Sequence, residues 1–189
     1  MRVISGRAKG RRLVAVPGDA TRPITDRVKE ALFDILQTQV AGSRWLDLFG
    51  GTGGVGIEAL SRGARRAVFV ERHPVACRAV LTNLHATGLG ERAVLRCEPV
   101  EQALASLARQ GERFDVIFAD PPYDQLESLA RWDGRVLAEL LEGRGVVALE
   151  HSARHSPPGW QSLRRVRESR YGESVVSFYV REQEPSPWP

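Results

Sequence analysis

Trp45-Leu46-Asp47-Leu48-Phe49-Gly50-Gly51-Thr52-Gly53-Gly54-Val55-Gly56 is the stretch on which the fold turns. An apolar run of strand length gives way to a glycine-rich turn, and Val55–Arg62 then reads as a helix. Gly51-Thr52-Gly53-Gly54-Val55-Gly56 has the G-x-G-x-x-G spacing, in the strand–turn–helix context where glycines let a nucleotide-type ligand approach the backbone. Glu71 lies 20 residues past Gly51, at the end of the next predicted strand, where its carboxylate can accept both hydroxyls of a ribose. These features alone fit a nicotinamide dehydrogenase equally well.

On either side of this stretch, strands and helices alternate. Strands are predicted at Trp45–Phe49, Ala67–Glu71, Ala93–Cys97, Phe114–Ala119 and Gly145–Glu150, and helices at Val55–Arg62, Pro74–Ala86, Val100–Gln110 and Leu126–Leu141. Near-continuous apolar strands between amphipathic helices predict an α/β fold, with a parallel, doubly wound sheet and right-handed crossovers. Upstream, an amphipathic helix is expected from Asp26 to about Val40, with Thr25 as its cap. Before it, Val3–Ser5 and Arg12–Val16 read as two short strands joined by a basic, glycine-containing turn. Leu163–Glu168 and Val175–Arg181, separated by Tyr171-Gly172, read as an antiparallel hairpin closing one edge. Residues 184–189 are expected to fray.

The chain has 189 residues, of which 42% are apolar and 26% charged, as expected of one soluble globular domain. No apolar run reaches membrane-spanning length, and Met1-Arg2-Val3-Ile4-Ser5-Gly6 lacks a signal-peptide core, so a cytoplasmic protein with no membrane association is expected. Cys77 and Cys97 lack metal-ligand spacing and are read as free, buried thiols, with no zinc and no disulfide. The net charge of +4 is unevenly spread. Residues 1–30 hold eight basic groups (Arg2, Arg7, Lys9, Arg11, Arg12, Arg22, Arg27, Lys29) against three acids, and the remainder is close to neutral. A concentrated basic segment fits a surface that neutralises phosphates.

The run Phe114–Ala119 breaks into Asp120-Pro121-Pro122-Tyr123. Prolines cannot donate to a ladder and hold the backbone extended, so this edge sets a carboxylate, a carbonyl and an aromatic ring side by side. Such an edge suits a planar amine with two N–H donors, such as the exocyclic amine of a nucleobase. Asp120 and the Pro121 carbonyl each accept one hydrogen, and Tyr123 stacks on the ring. Hydride transfer has no use for this arrangement. Asp47, four positions before Gly51, would repel a pyrophosphate but suits a ligand bearing an ammonium and a sulfonium, which points to S-adenosylmethionine. Glu98 and Val100, after the third strand, are candidates to line its adenine pocket.

The chain closely resembles the ribosomal RNA small subunit methyltransferase D family. The resemblance is carried by Arg2-Val3-Ile4-Ser5-Gly6, Gly10-Arg11-Arg12-Leu13, Thr21 to Phe33, Leu46 to Gly53, Gly56 to Ala64, Val70-Glu71, Asn83-Leu84, Asp120 to Tyr123 and Tyr171-Gly172. It implies a class I, Rossmann-like S-adenosylmethionine-dependent methyltransferase with a seven-stranded, mostly parallel sheet. Residues 1–20 would form a basic β-hairpin extension that binds RNA, and residues 21–183 the methyltransferase domain. The implied reaction is methylation of the exocyclic N2 of a guanine in 16S rRNA of the small ribosomal subunit (guanine 966 in the family). The cofactor site maps onto Asp47, Gly51, Gly53, Gly56 and Glu71, and the catalytic motif onto Asp120, Pro121, Pro122 and Tyr123. Arg2, Arg7, Lys9, Arg11, Arg12 and Arg22 are the candidate RNA contacts. Arg22, Thr25 and Arg27 can meet either RNA or cofactor. Gly50, Thr52 and Ile24 depart from the family's usual Ala, Ser and Thr. A monomer is the simple expectation, and no metal is expected. The rival readings are an amino-methyltransferase acting on adenine N6 or cytosine N4 of DNA or RNA, and a non-catalytic RNA-binding assembly factor.

Overall fold

The computed structural model describes residues 1–16, 24–122, 129 and 132–188. Among these residues seven strands form one sheet: β1 (Arg44–Leu48), β2 (Arg66–Val70), β3 (Ala93–Arg96), β4 (Phe114–Ala119), β5 (Leu141–Ser152), β6 (Leu163–Tyr171) and β7 (Ser174–Arg181). Their order is β3-β2-β1-β4-β5-β7-β6. β3, β2, β1, β4 and β5 run parallel, and β7 lies antiparallel to both β5 and β6. The chain starts in the middle at β1, winds outward through β2 and β3, then crosses back to β4. This reversal opens a crevice at the carboxyl ends of β1 and β4, where doubly wound sheets bind ligands.

Helices cover both faces: α1 (Asp26–Ile35), α2 (Gln37–Val40), α3 (Gly54–Ser61), α4 (Pro74–Thr87), α5 (Val100–Arg109) and α6 (Gly134–Leu140). Because the central strands are buried on both sides, their apolar residues are continuous rather than alternating. Trp45, Phe69, Val116 and Phe118 point to one core, packed against α1, α3 and α4 through Phe33, Ile57, Leu60 and Val80. Leu46, Leu48, Val68, Val70 and Ile117 point to the other, packed against α5 and α6 through Leu104, Leu107 and Leu137.

The expected N-terminal strand pair is not a ladder. The two segments pair only briefly, through one antiparallel bridge, Arg2 to Arg12, and backbone hydrogen bonds from the amides of Val3, Gly10 and Leu13 to the carbonyls of Arg11, Val3 and Met1. The reason lies in how the backbone donors are used. The amides of Ile4 and Ser5 donate to the buried Glu58 carboxylate at 2.7 and 2.9 Å, and that of Arg7 to the Ser61 carbonyl at 2.8 Å. Gly6 turns the chain at φ +80, against the Ser61 carbonyl, where a Cβ would collide with backbone. The segment is thus a strap bound to α3. Beneath it Lys29, with a side chain 0% exposed, donates to the Arg2 carbonyl at 2.6 Å.

Four further expectations are corrected. The first helix breaks at Leu36, where the Ile35 carbonyl accepts the Trp188 indole N–H at 3.1 Å and Gln39 bonds to Leu36 instead. The same contact, with Trp188 edge-on to Phe178, docks Trp188 on the body of the protein where fraying was expected. The cysteines are not free thiols: Cys77 and Cys97 are joined as a disulfide. The first turn of α4 and the residue just beyond β3 bring their Cα atoms within 6.2 Å, a proximity that a separation of 20 residues does not reveal. β5 also begins at Leu141, inside the span expected to be helical, and most of the first half of that span lies outside the described residues.

Candidate active site

A cavity of about 270 Å³ opens at the carboxyl ends of the central strands. The turn after β1 supplies Phe49, Gly50, Gly51 and Thr52; the end of β2 supplies Glu71; the head of α5 supplies Pro99, Val100 and Glu101. The end of β4 brings Asp120, Pro121 and Pro122, β5 brings Glu150, and β7 brings Ser174. Met1, Ile24 and Thr25 reach its rim from the N-terminal part of the chain. The candidate cofactor loop and the Asp-Pro-Pro edge therefore face one shared cavity.

Each acidic group has a defined setting. Glu71 is buried, and its two oxygens accept the amides of Gly51 at 2.9 Å and His73 at 2.8 Å, which fixes the carboxylate against the loop. Asp47 lies deeper, and its Oδ2 accepts the Gly56 amide at 2.8 Å. Burial raises the Asp47 pKa to about 7; the Gly56 hydrogen bond opposes this and the Glu71 charge adds to it. Asn83, fully buried on α4, ties the loop to the strap. Its amide group donates to the Thr52 carbonyl at 2.8 Å and the Val14 carbonyl at 3.1 Å, and its oxygen accepts the Val14 amide at 2.7 Å.

The glycines divide by role. Gly51 lines the cavity, whereas Gly56 packs under the loop, where a Cβ would run into the Phe69 ring. Gly53 caps α3 at φ +76, beside the side chains of Ile57, Phe69 and Val80. Gly53 and Gly56 shape the loop from below. Glu98 does not line the cavity, because its carboxylate pairs with Arg96; Val100 does line it, and Glu101 faces it in place of Glu98. Arg2, Arg7, Lys9, Arg11 and Arg12 are all exposed on the outer side of the strap. Arg22 and Tyr123 lie outside the described residues.

Sequence reasoning missed Met1, Phe49, Glu150 and Ser174. Phe49 is a bulky residue at φ +61, a conformation seldom held outside sites that the surroundings enforce. Its ring stacks on Trp132, 5.8 Å between centroids. Glu150 had a signal in the sequence: it ends an apolar strand next in line to the one that ends in Asp120. Among the described residues no three His, Cys, Asp or Glu side chains are grouped to hold a metal, and no helix is long and apolar enough to cross a membrane.

Comparisons with known proteins bear on this site. A family model described as Conserved hypothetical protein 95 matches residues 1–180. The Bacillus subtilis protein named "Putative rRNA methyltransferase YlbH" is 40% identical over 180 residues, covering 95% of this chain and 98% of that protein. The Escherichia coli ribosomal RNA small subunit methyltransferase D is 34% identical over 123 residues, covering 65% of this chain and 60% of that one. A solved structure of a hypothetical protein from Thermus thermophilus superposes with a TM-score of 0.81 at 36% identity, covering 96% of this chain and 99% of the other. The likeness thus runs along nearly the whole length, and the chain belongs to the ribosomal RNA small subunit methyltransferase D family.

Proposed function

We propose that this protein transfers a methyl group from S-adenosylmethionine to the exocyclic N2 amine of a guanine in 16S rRNA of the small ribosomal subunit. One observation carries the reading: Asp120 and Pro121 line the same cavity as Glu71 and the Gly50–Thr52 backbone, so a single space serves both reactants. The donor set fits the cofactor. Two carboxylates, Glu71 and Asp47, suit ribose hydroxyls and a cationic amino-acid end and would repel a pyrophosphate. Val70 and Val100 offer apolar sides for a purine. When bound, S-adenosylmethionine supplies an electrophilic methyl carbon on a sulfonium.

The chain's own residues position the amine. An aryl amine is a weak nucleophile because its lone pair is drawn into the ring. Asp120 and the Pro121 carbonyl accept its two N–H groups, which favours pyramidal nitrogen and directs the lone pair toward the cofactor side of the cavity. The Asp120 carboxylate stabilises the positive charge that grows on nitrogen, and no strong base is required before the proton becomes acidic. Tyr123 provides the stacking face, and the target base must leave any stack to enter, which favours a loop nucleotide. The strap presents Arg2, Arg7, Lys9, Arg11 and Arg12 next to the rim formed by Met1, and these hold the RNA backbone. Nucleoside mass spectrometry of 16S rRNA from cells with and without the gene tests the proposal: N2-methylguanine should fall at one site in its absence, and an unchanged profile would refute it.

A further inference from the structure

Four carboxylates share one face of the sheet near the carboxyl ends of its central strands. Residues 67 and 69 of β2, 45 of β1, 116 and 118 of β4, and 146 and 148 of β5 all face the core that contains α3. Continuing each alternation by one step places Glu71, Asp47, Asp120 and Glu150 on this same face, with Asp47, paired to Phe69 and Phe118, one pleat below the other three. In the parallel register Ala119 is beside Leu149, so Asp120 and Glu150 follow as neighbours, about 5 Å apart at a normal strand spacing. Glu150 is buried and lines the cavity, while Asp47 is two strands away, about 10 Å, too far for both to serve one end of the cofactor. Ser174 of β7, the next strand beyond β5, lines the same cavity.

The proposed mechanism uses Glu71, Asp47 and Asp120 and leaves Glu150 without a role. We infer that Glu150 is the specificity-determining residue that selects guanine, by accepting the ring N1–H next to the amine held by Asp120. This inference rests on the guanine N2 reading above. Guanine presents N2–H, N1–H and O6 in sequence along its pairing edge, that is donor, donor and acceptor. Asp120, Glu150 and the Ser174 hydroxyl, the last paired to Ser152 one pleat beyond Glu150, provide acceptor, acceptor and donor in the same order across three neighbouring strands. Adenine presents a lone pair at N1, which a carboxylate repels, so the row also acts against the base whose amine Asp120 and Pro121 would otherwise hold equally well.

The test uses small-subunit particles assembled on 16S rRNA carrying either guanine or 2-aminopurine at the methylated position. 2-Aminopurine keeps the amine but has a lone pair at N1. The wild-type protein should favour guanine by roughly 10- to 100-fold in kcat/KM, the range for losing a hydrogen bond to a charged group. Glu150→Gln and Glu150→Ala should cut that preference, mainly by slowing guanine, to what the Ser174 contact with O6, which 2-aminopurine also lacks, still contributes, while S-adenosylmethionine affinity by calorimetry stays near the wild-type value. A wild-type ratio kept by both variants, or no discrimination by the wild type, would overturn the inference. Loss of cofactor affinity in both variants would overturn it too, by assigning Glu150 to the other ligand. Failure of the wild type to methylate the guanine particle is a separate result, visible before any variant is made, and it refutes the underlying reading.

Discussion

Lys29 and Glu58 are both sealed from solvent, their charged groups 3.8 Å apart beneath the N-terminal strap. Burial lowers the Lys29 pKa, against the attraction of Glu58 and Asp26. Glu58 also accepts the Arg62 guanidinium at 2.8 Å besides the two strap amides. Removing one member of a buried pair leaves the other uncompensated, at a cost of about 3–5 kcal/mol. Glu58→Ala should therefore lower the unfolding free energy by an amount of that order, read from urea denaturation. Lys29→Met combined with Glu58→Gln should cost less than the sum of the two single changes, read by a double-mutant cycle in urea.

Asp47 predicts a pH dependence with a definite sign. Its pKa rises from an ordinary 3.8 to about 7 in the folded protein, so the unfolded chain ionises first. Stability from this group is full below pH 3.8 and is lost as pH rises through about 7. A cationic ligand prefers the ionised form, so S-adenosylmethionine affinity should rise with pH across the interval up to about 7, with proton release on binding. Asp47→Asn should remove this component from both the stability and affinity curves; calorimetry in buffers of different ionisation enthalpy measures the proton count.

Asp120→Ala should reduce kcat by roughly 100- to 1,000-fold, the usual loss for one preorganised group facing a developing charge. Cofactor affinity should change little, because Glu71 and Asp47 lie on other strands. Single-turnover methylation with calorimetric binding separates the two effects, and retained turnover would remove Asp120 from its role.

Neutralising Arg7, Lys9, Arg11 and Arg12 together should weaken RNA binding and flatten its dependence on salt. Each lost phosphate contact lowers the slope of log K against log salt by about 0.7 to 0.9. An unchanged slope in filter binding at several ionic strengths would make the strap structural only.

Much of this architecture was legible in the sequence because the signals were local. The run Phe114–Ala119 was bounded correctly, and the glycine turn fell between β1 and α3 as its spacing implied. What escaped depends on distant partners. That the N-terminal hairpin is strapped onto α3 was hidden, because nothing near Ile4 and Ser5 tells that Glu58, more than fifty residues on, takes their amides. Glu98 stands among the sequence candidates because nothing in the sequence shows that Arg96 holds its carboxylate, while Glu101, which lines the cavity, does not. Glu150 read as an ordinary strand end until the order of strands put it beside Asp120. Cys77 and Cys97 were separated by most of a helix and a strand that fold back upon each other.

Asn83 grips the strap at Val14 and the glycine turn at Thr52 with one carboxamide. It works as a rivet through two sheets of material: neither layer can slide without dragging the other. The gap between the surface proposed to meet RNA and the turn proposed to meet the methyl donor is thereby gauged by fixed backbone rather than by the reach of long, swinging arginines.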